Sequence, residues 1–248
     1  MKKLDKLLLI NWHYFSYELL EFKDINFLTG KNASGKTTII DAIQLLILGD
    51  TTGHFFNKSA SDKSSRSLKG YLRCEIGDQD DGSALYLRNG RFASYVAMQF
   101  YDDFYQTYFT VGIVFDNFED GSYNGKFFCY DDKIPEHHFV QLNVPMDQKT
   151  LRLDFINRFP NLDVRFFESN QSYREFIKEK FGGLNNNFFS LFKKAIPFSP
   201  ITNIETFITE YVCDVTHSID VHTMQDNIRH YKQLEIEAAE LSERVKLL

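Results

Sequence analysis

"FLTGKNASGKTTIIDAIQLLILG", residues 27–49, decides how the rest of the chain is read. Within it, Gly30-Lys31-Asn32-Ala33-Ser34-Gly35-Lys36-Thr37 satisfies the phosphate-loop pattern G-x-x-x-x-G-K-[ST]. Each residue type in that pattern has a physical task. The glycines let the backbone turn so that successive N–H groups face a β-phosphate, and the N-terminus of the following helix adds positive potential. Lys36 is the mobile charge between the β- and γ-phosphates, and Thr37 offers its hydroxyl to a Mg²⁺ ion whose other ligands are waters and phosphate oxygens. The pattern is expected between a strand over residues 25–28 and a helix from Lys36 to Leu48. That helix is apolar nearly all round in its second half, which predicts burial against a sheet before Gly49 ends it. The fold class that follows is α/β.

Working outward, apolar runs at residues 7–10 and 19–22 read as strands ahead of the loop. Residues 51–69, rich in Ser and Lys, read as a surface loop. "LYLRNGRFASYVAMQFYDD" predicts a hairpin with Asn89-Gly90 at a type I′ turn, and "YFTVGIVFD" and "KFFCYDD" continue an antiparallel layer from Tyr71 to about Leu142. Helical character returns after Pro145, with candidates at 173–181, 188–194 and 204–212. At the C-terminus, Met224, Ile228, Tyr231, Leu234, Ala238, Leu241, Val245 and Leu248 form a near-heptad stripe. It reads either as an amphipathic helix packed on the domain or as the start of a coiled coil.

With 248 residues, 43% of them hydrophobic, the chain can bury at least one substantial core. No run approaches the roughly 18 apolar residues of a membrane helix, and the short apolar stretch after Met1 is too brief for a secretory signal, so a cytoplasmic protein without a membrane partner is expected. Cys74, Cys129 and Cys213 lack metal-like spacing and read as reduced packing residues. A net charge of −6 argues against a surface coated in positive charge for nucleic acid, so any DNA contact must be local. The place for one is residues 58–73, where Lys58, Lys63, Arg66, Lys69 and Arg73 face Asp62 alone. Arg66 could reach the nucleotide phosphates, or the cluster could touch a DNA backbone. Asp116, at the end of "VGIVFD", resembles a Mg²⁺-binding strand end but is set aside. Asn117 follows it where a carboxylate would be needed, and its neighbours are antiparallel strands. In the first turn, His13, Tyr14 and Phe15 offer an aromatic for the adenine, although a core role is expected of Phe15.

Several motifs then fall in one order. "LLLINWHYF", "LTGKNASGKTT", "DAIQLLILGD", "GHFFNKSASDKSSRSLKGYL" and "LYLRNGRFASYVAMQFYDD" together resemble the N-terminal head segment of SMC-like ATPases, and "FFSLFKKAIPFSPITNIETFITEYV" resembles the helices leading into the coiled-coil arm. Within that superfamily the resemblance is to the MukB and MksB branch, closest to the JetC type, the SMC-like subunit of Wadjet anti-plasmid systems. It implies an ABC/SMC-type ATPase head over residues 1–222 and the start of a coiled-coil arm over 223–248. ATP and Mg²⁺ are the implied cofactors, with Gly30, Lys31, Asn32, Ala33, Ser34, Gly35, Lys36, Thr37 and Thr38 as nucleotide residues. Arg66 is the arginine approaching the phosphates, and Gln171, in "FFESNQSYREF", is the nearest positional match to the metal-side glutamine. The implied partners are the C-terminal half of the same head, a second copy, kleisin and winged-helix subunits, and double-stranded DNA, with the protein at the nucleoid. No signature motif and no apolar strand ending in Asp-Glu occurs in these residues, so ATP binding without efficient turnover is expected of the chain by itself. The alternatives are an SbcC- or RecF-like DNA-repair head, and a nucleotide-dependent interaction module that does not hydrolyse.

Overall fold

The computed structural model describes residues 1–53, 56, 67–78 and 82–195, together with Arg229, Tyr231, Lys232 and Glu235. The chain divides into two compact units, Met1–Ser199 and Pro200–Leu248. In the second unit the four described residues are helical. The coiled-coil stripe and the helix expected at 204–212 otherwise lie outside the described residues.

In the first unit the elements run β1 (Lys2–Trp12), β2 (Phe15–Glu21), α1 (Lys36–Leu48), α2 (Leu68–Arg73), β3 (Glu75–Asp78), β4 (Ala84–Tyr86), β5 (Phe92–Asp102), β6 (Thr107–Asn117), β7 (Tyr123–Tyr130), β8 (Val140–Gln141), β9 (Val144–Pro145), α3 (Gln148–Arg158), β10 (Arg165–Phe166), α4 (Asn170–Lys180) and α5 (Asn186–Ala195). One six-stranded sheet, ordered β10-β7-β6-β5-β1-β2, organises them, and every neighbouring pair in it is antiparallel. The antiparallel layer expected from the alternation is therefore present and larger than anticipated, since the β1–β2 hairpin before the phosphate loop joins it.

Both faces of this sheet are covered. Alternate residues of β1, β5, β6 and β7, among them Leu7, Leu9, Val96, Met98, Val111, Ile113, Phe115 and Phe127, face α1, α2 and α4. The intervening set, Leu8, Tyr95, Ala97, Val114 and Phe128, faces α3 and the small β8–β9 hairpin, where Phe139, Met146, Leu151 and Phe155 close the second core. Burial on both sides is why β5 and β6 read as nearly continuous apolar runs despite being antiparallel. Helix α1 is entered from Gly35 and left at Gly49, both left-handed. Gly49 has a second constraint, because a Cβ there would lie 2.7 Å from Arg174 Cγ and 2.8 Å from Tyr173 Cδ1. Among the described residues no helix is long and apolar enough to cross a membrane.

Three expectations fail. Asn89-Gly90 does not close a hairpin between β4 and β5: β4 pairs with β3, because β5 has both edges occupied, by β1 over eight residue pairs and by β6 over eleven. The basic stretch after Thr51 is not a loop throughout. Ser67 caps a helix, its hydroxyl accepting from Gly70 N at 2.9 Å, and Leu68, Tyr71 and Leu72 of α2 are buried. Residues 25–28, expected as the strand feeding the phosphate loop, pair with no described strand, and Ile25 and Phe27 are 76% and 84% exposed.

Candidate functional site: the phosphate loop

The chain from Gly30 to Gly35 turns through Gly30 at φ 154°, Ala33 at 62° and Gly35 at 88°. Gly35 can carry no side chain here: its torsion is left-handed, and a Cβ would lie 2.7 Å from Phe15 Cζ. It is also the N-cap of α1 and provides no side-chain cap, and no acidic residue occupies the first turn. The leading N–H groups of α1 are thus left to an external acceptor, at the positive end of the helix dipole. Lys36 is half-buried and its ammonium curls back across the loop, donating to Gly30 O (2.9 Å), Lys31 O (2.7 Å) and Ser34 Oγ (3.2 Å). A cation held by neutral carbonyls and a hydroxyl beside the N-terminus of α1, itself without a side-chain cap, fits an oxyanion, which would replace weaker acceptors with charged ones.

The loop rests on a rigid base. Thr37 is half-buried, whereas Thr38 is buried and its carbonyl accepts from Trp12 Nε1 at 3.1 Å. One turn on, the fully buried Asp41 accepts from Tyr71 of α2. Trp12, Tyr71 and Phe56 form an aromatic cluster beneath this turn, with the Trp12–Tyr71 and Phe56–Tyr71 rings tilted at centroid distances of 4.8 Å and 4.5 Å. Further along, Gln44 is fully buried, yet neither amide atom has a hydrogen-bond partner among the described residues. Ile40, Ile43 and Ile47 remain half-exposed at helical spacing, with Ile43 and Ile47 still packed against the margin of the sheet–helix core.

The other expected site residues do not join this loop. Gln171 stands at the first turn of α4 beside Leu48, Arg174 and Lys193, at the far end of α1. Leu48 lies eleven residue steps along the helix from Thr37, about 16.5 Å along the axis at roughly 1.5 Å per residue. Gln171 is therefore withdrawn as a metal-side ligand. At that end burial would raise the Asp50 pKa, but the Thr52 hydroxyl and N–H, with Lys193 and Arg174, outweigh it and hold the carboxyl below its ordinary value. Arg66 lies outside the described residues, as do Lys58 and Lys63. Of the same basic cluster, Arg73 is buried in α2 and donates to the carbonyls of Arg88 (3.2 Å) and Phe118, while Lys69 lies 5.6 Å from the Tyr86 ring centroid. These two cations belong to packing and leave the free cluster. Asp116 shares a face with Val114, on the side covered by α3, and accepts from Gln148 N at 3.1 Å. Helix α1 packs on the opposite face, so Asp116 cannot serve a metal at Thr37.

Sequence reading missed Arg88. Its guanidinium donates to His13 O (2.6 Å), Phe15 O (3.2 Å) and Leu72 O (3.4 Å), and burial pulls its pKa below the ordinary arginine value. The only signal was a charged residue inside the apolar alternation of "LYLRNG".

With this geometry in place, the comparison with known families is direct. The P-loop containing region of the AAA domain matches residues 4–63, the stretch holding β1, β2, the phosphate loop and α1. No curated protein matches the chain. The chain carries a P-loop NTPase region within an α/β fold, and that region is of the nucleotide-binding type.

Proposed function

We propose that this P-loop region is the ATP-binding half of an SMC-like motor head of the MukB and MksB branch, closest to the Wadjet subunit, which uses ATP-driven head engagement to act on DNA. One observation carries the half-head reading. A phosphate loop is preceded by an apolar segment, with Ile25 and Phe27 exposed, that pairs with no strand among the described residues, and followed by a helix whose Ile40, Ile43 and Ile47 are only half-buried, Ile43 and Ile47 at the margin of the sheet–helix core. Exposed apolar side chains such as Ile25 and Phe27 are the kind of surface that a folded protein covers with a partner. The C-terminal half of the same head is the occupant proposed, and the family resemblance extends this to a second copy, to kleisin and winged-helix subunits and to double-stranded DNA.

The chain's own residues would divide the work as follows. Loop N–H groups and the first turn of α1 orient the phosphates. Lys36 moves from its carbonyl acceptors to the β- and γ-phosphate oxygens. Thr37 contributes its hydroxyl to Mg²⁺, which when bound neutralises charge on the phosphates. Among the described residues no cluster of three His, Cys, Asp or Glu side chains could hold a metal, which fits an ion held chiefly by phosphate and water. No apolar strand ending in Asp-Glu, the motif that would orient a water in line with a γ-phosphate, occurs in the sequence, so binding and turnover are expected to separate.

The test is ATP·Mg²⁺ binding and steady-state hydrolysis by the 248-residue chain. Binding is expected, lowered on the order of a hundredfold in Lys36→Ala because a charged donor to several phosphate oxygens is lost. Hydrolysis is expected to stay at background. Steady turnover that disappears in Lys36→Ala would refute the half-head reading, and unchanged affinity in that variant would refute the nucleotide site itself.

A further inference from the structure

The turn between β1 and β2 is held in an unusual way. Trp12 pairs with Phe15, so His13 and Tyr14 make a two-residue connection, and both Asn11 (φ 52°) and His13 (φ 49°) are left-handed. Non-glycine residues in that region persist where surrounding contacts over-determine them. Those contacts are on view: Asn11 Nδ2 donates to Ala93 O at 2.8 Å, His13 N donates to Tyr71 O at 2.7 Å, and Arg88 grips the carbonyls of His13 and Phe15 with its two terminal nitrogens. The grip is not an electrostatic necessity, since among the described residues Arg88 makes no ion pair with a carboxylate. Its own backbone is locked in turn: Arg88 N donates to Arg73 O at 2.9 Å, and Arg73 Nη1 returns a bond to Arg88 O at 3.2 Å.

The residue so fixed, Phe15, is the one whose ring backs Gly35. Gly35 is where the phosphate loop becomes helix α1, so its position sets the direction in which the first N–H groups point. We infer that Arg88 is a positioning residue for the nucleotide site, acting through the β1–β2 turn and the Phe15 ring to hold Gly35 where the loop can cradle phosphate. This rests on the nucleotide reading of the loop and deepens it: the determinants of affinity extend to a residue 53 positions beyond Gly35 in sequence (88 − 35). Arginine is required by the geometry, because its planar fork reaches two carbonyls at once, where a lysine ammonium would satisfy one with a flexible stem.

The experiment is a double-mutant cycle in the 248-residue chain, with ATP·Mg²⁺ affinity read by calorimetry well below the melting transition and melting temperature read in parallel. Arg88→Lys keeps the charge and loses the fork; Phe15→Leu keeps an apolar side chain and removes the ring from Gly35. Each is expected to weaken binding about tenfold, the size of one charge-assisted hydrogen bond, and the double variant to bind no worse than the weaker single, since both act through one contact. If Arg88→Lys lowers the melting temperature but leaves affinity intact, the residue is merely structural and the inference is overturned. Losses that multiply in the double variant overturn it as well. Phe15→Leu answers alone should Arg88→Lys fold poorly, because unchanged affinity there removes the link to Gly35. Lys36→Ala separates the two layers: if it binds like the parent chain, the nucleotide reading has failed, whereas if it alone loses binding, only the role of Arg88 has.

Discussion

Two apolar, strand-prone segments of this chain meet opposite fates. Residues 111–115 of β6 sit between β5 and β7, and Val111, Ile113, Val114 and Phe115 are fully buried. Residues 25–28, "INFL", are as apolar in pattern, yet Phe27 is 84% exposed and no described strand lies beside it. The difference is not one of propensity. Strand β6 finds both its neighbours within 25 residues of chain through hairpin turns, whereas the segment before the phosphate loop pairs with no strand among the described residues. A β-prone sequence becomes a strand only when something pairs with it.

Substitutions at these two places should therefore differ most. Phe115→Ala is expected to cost about 4 kcal/mol, from lost burial and the cavity left in the sheet–helix core. Phe27→Ser in the 248-residue chain should change stability by no more than about 0.5 kcal/mol, as at an ordinary surface position, and should improve solubility. Denaturant melts of the two variants check this, and a large loss in Phe27→Ser would show that the segment is already packed.

A smaller effect sharpens the same contrast from inside the sheet. Gly112 of β6 pairs directly with Phe128, whose ring lies over it, so that a Cβ would come within 2.5 Å of Phe128 Cζ. Gly112→Ala should cost about 2 kcal/mol through the displaced ring, with ATP affinity unchanged because α1 packs on the other face. A loss of affinity would mean that the two faces are coupled.

A smaller loss than at Gly112 is expected on the far face, at the start of α3. Asp147 caps this helix, accepting from Thr150 N at 2.8 Å; its bonds to the Thr150 side chain and N–H hold its pKa below the ordinary carboxylate value, against a smaller opposing effect of burial. A carboxylate depressed in the folded state contributes stability that is present above its unfolded pKa and lost as pH falls through the folded one. Asp147→Ala should cost about 1 kcal/mol near neutral pH, and the gap between variant and parent should close below about pH 4. A gap independent of pH would assign the loss to packing instead.

How much of this was legible in the sequence follows from how local each feature is. The turns at Gly30 and Gly35 and the start of α1 at Lys36 could be read outright, because such a loop is built from torsions within eight residues, and Gly49 announced the end of α1 by the same local rule. The alternation in β5, β6 and β7 likewise declared an antiparallel layer. Tertiary structure alone decided the rest. That β4 turns back on β3 depended on both edges of β5 being taken, a fact of the whole sheet. The placing of Gln171 at the wrong end of α1 was set by the docking of α4, through Tyr173 and Gly49. Arg73 looked like part of a free basic cluster until α2 buried it, and Arg88 looked like an ordinary strand charge until three carbonyls from distant segments converged on it. Short-range backbone geometry is written residue by residue, whereas the partner of an edge, a face or a guanidinium is chosen by the packing of the entire domain, and no window of sequence contains that choice.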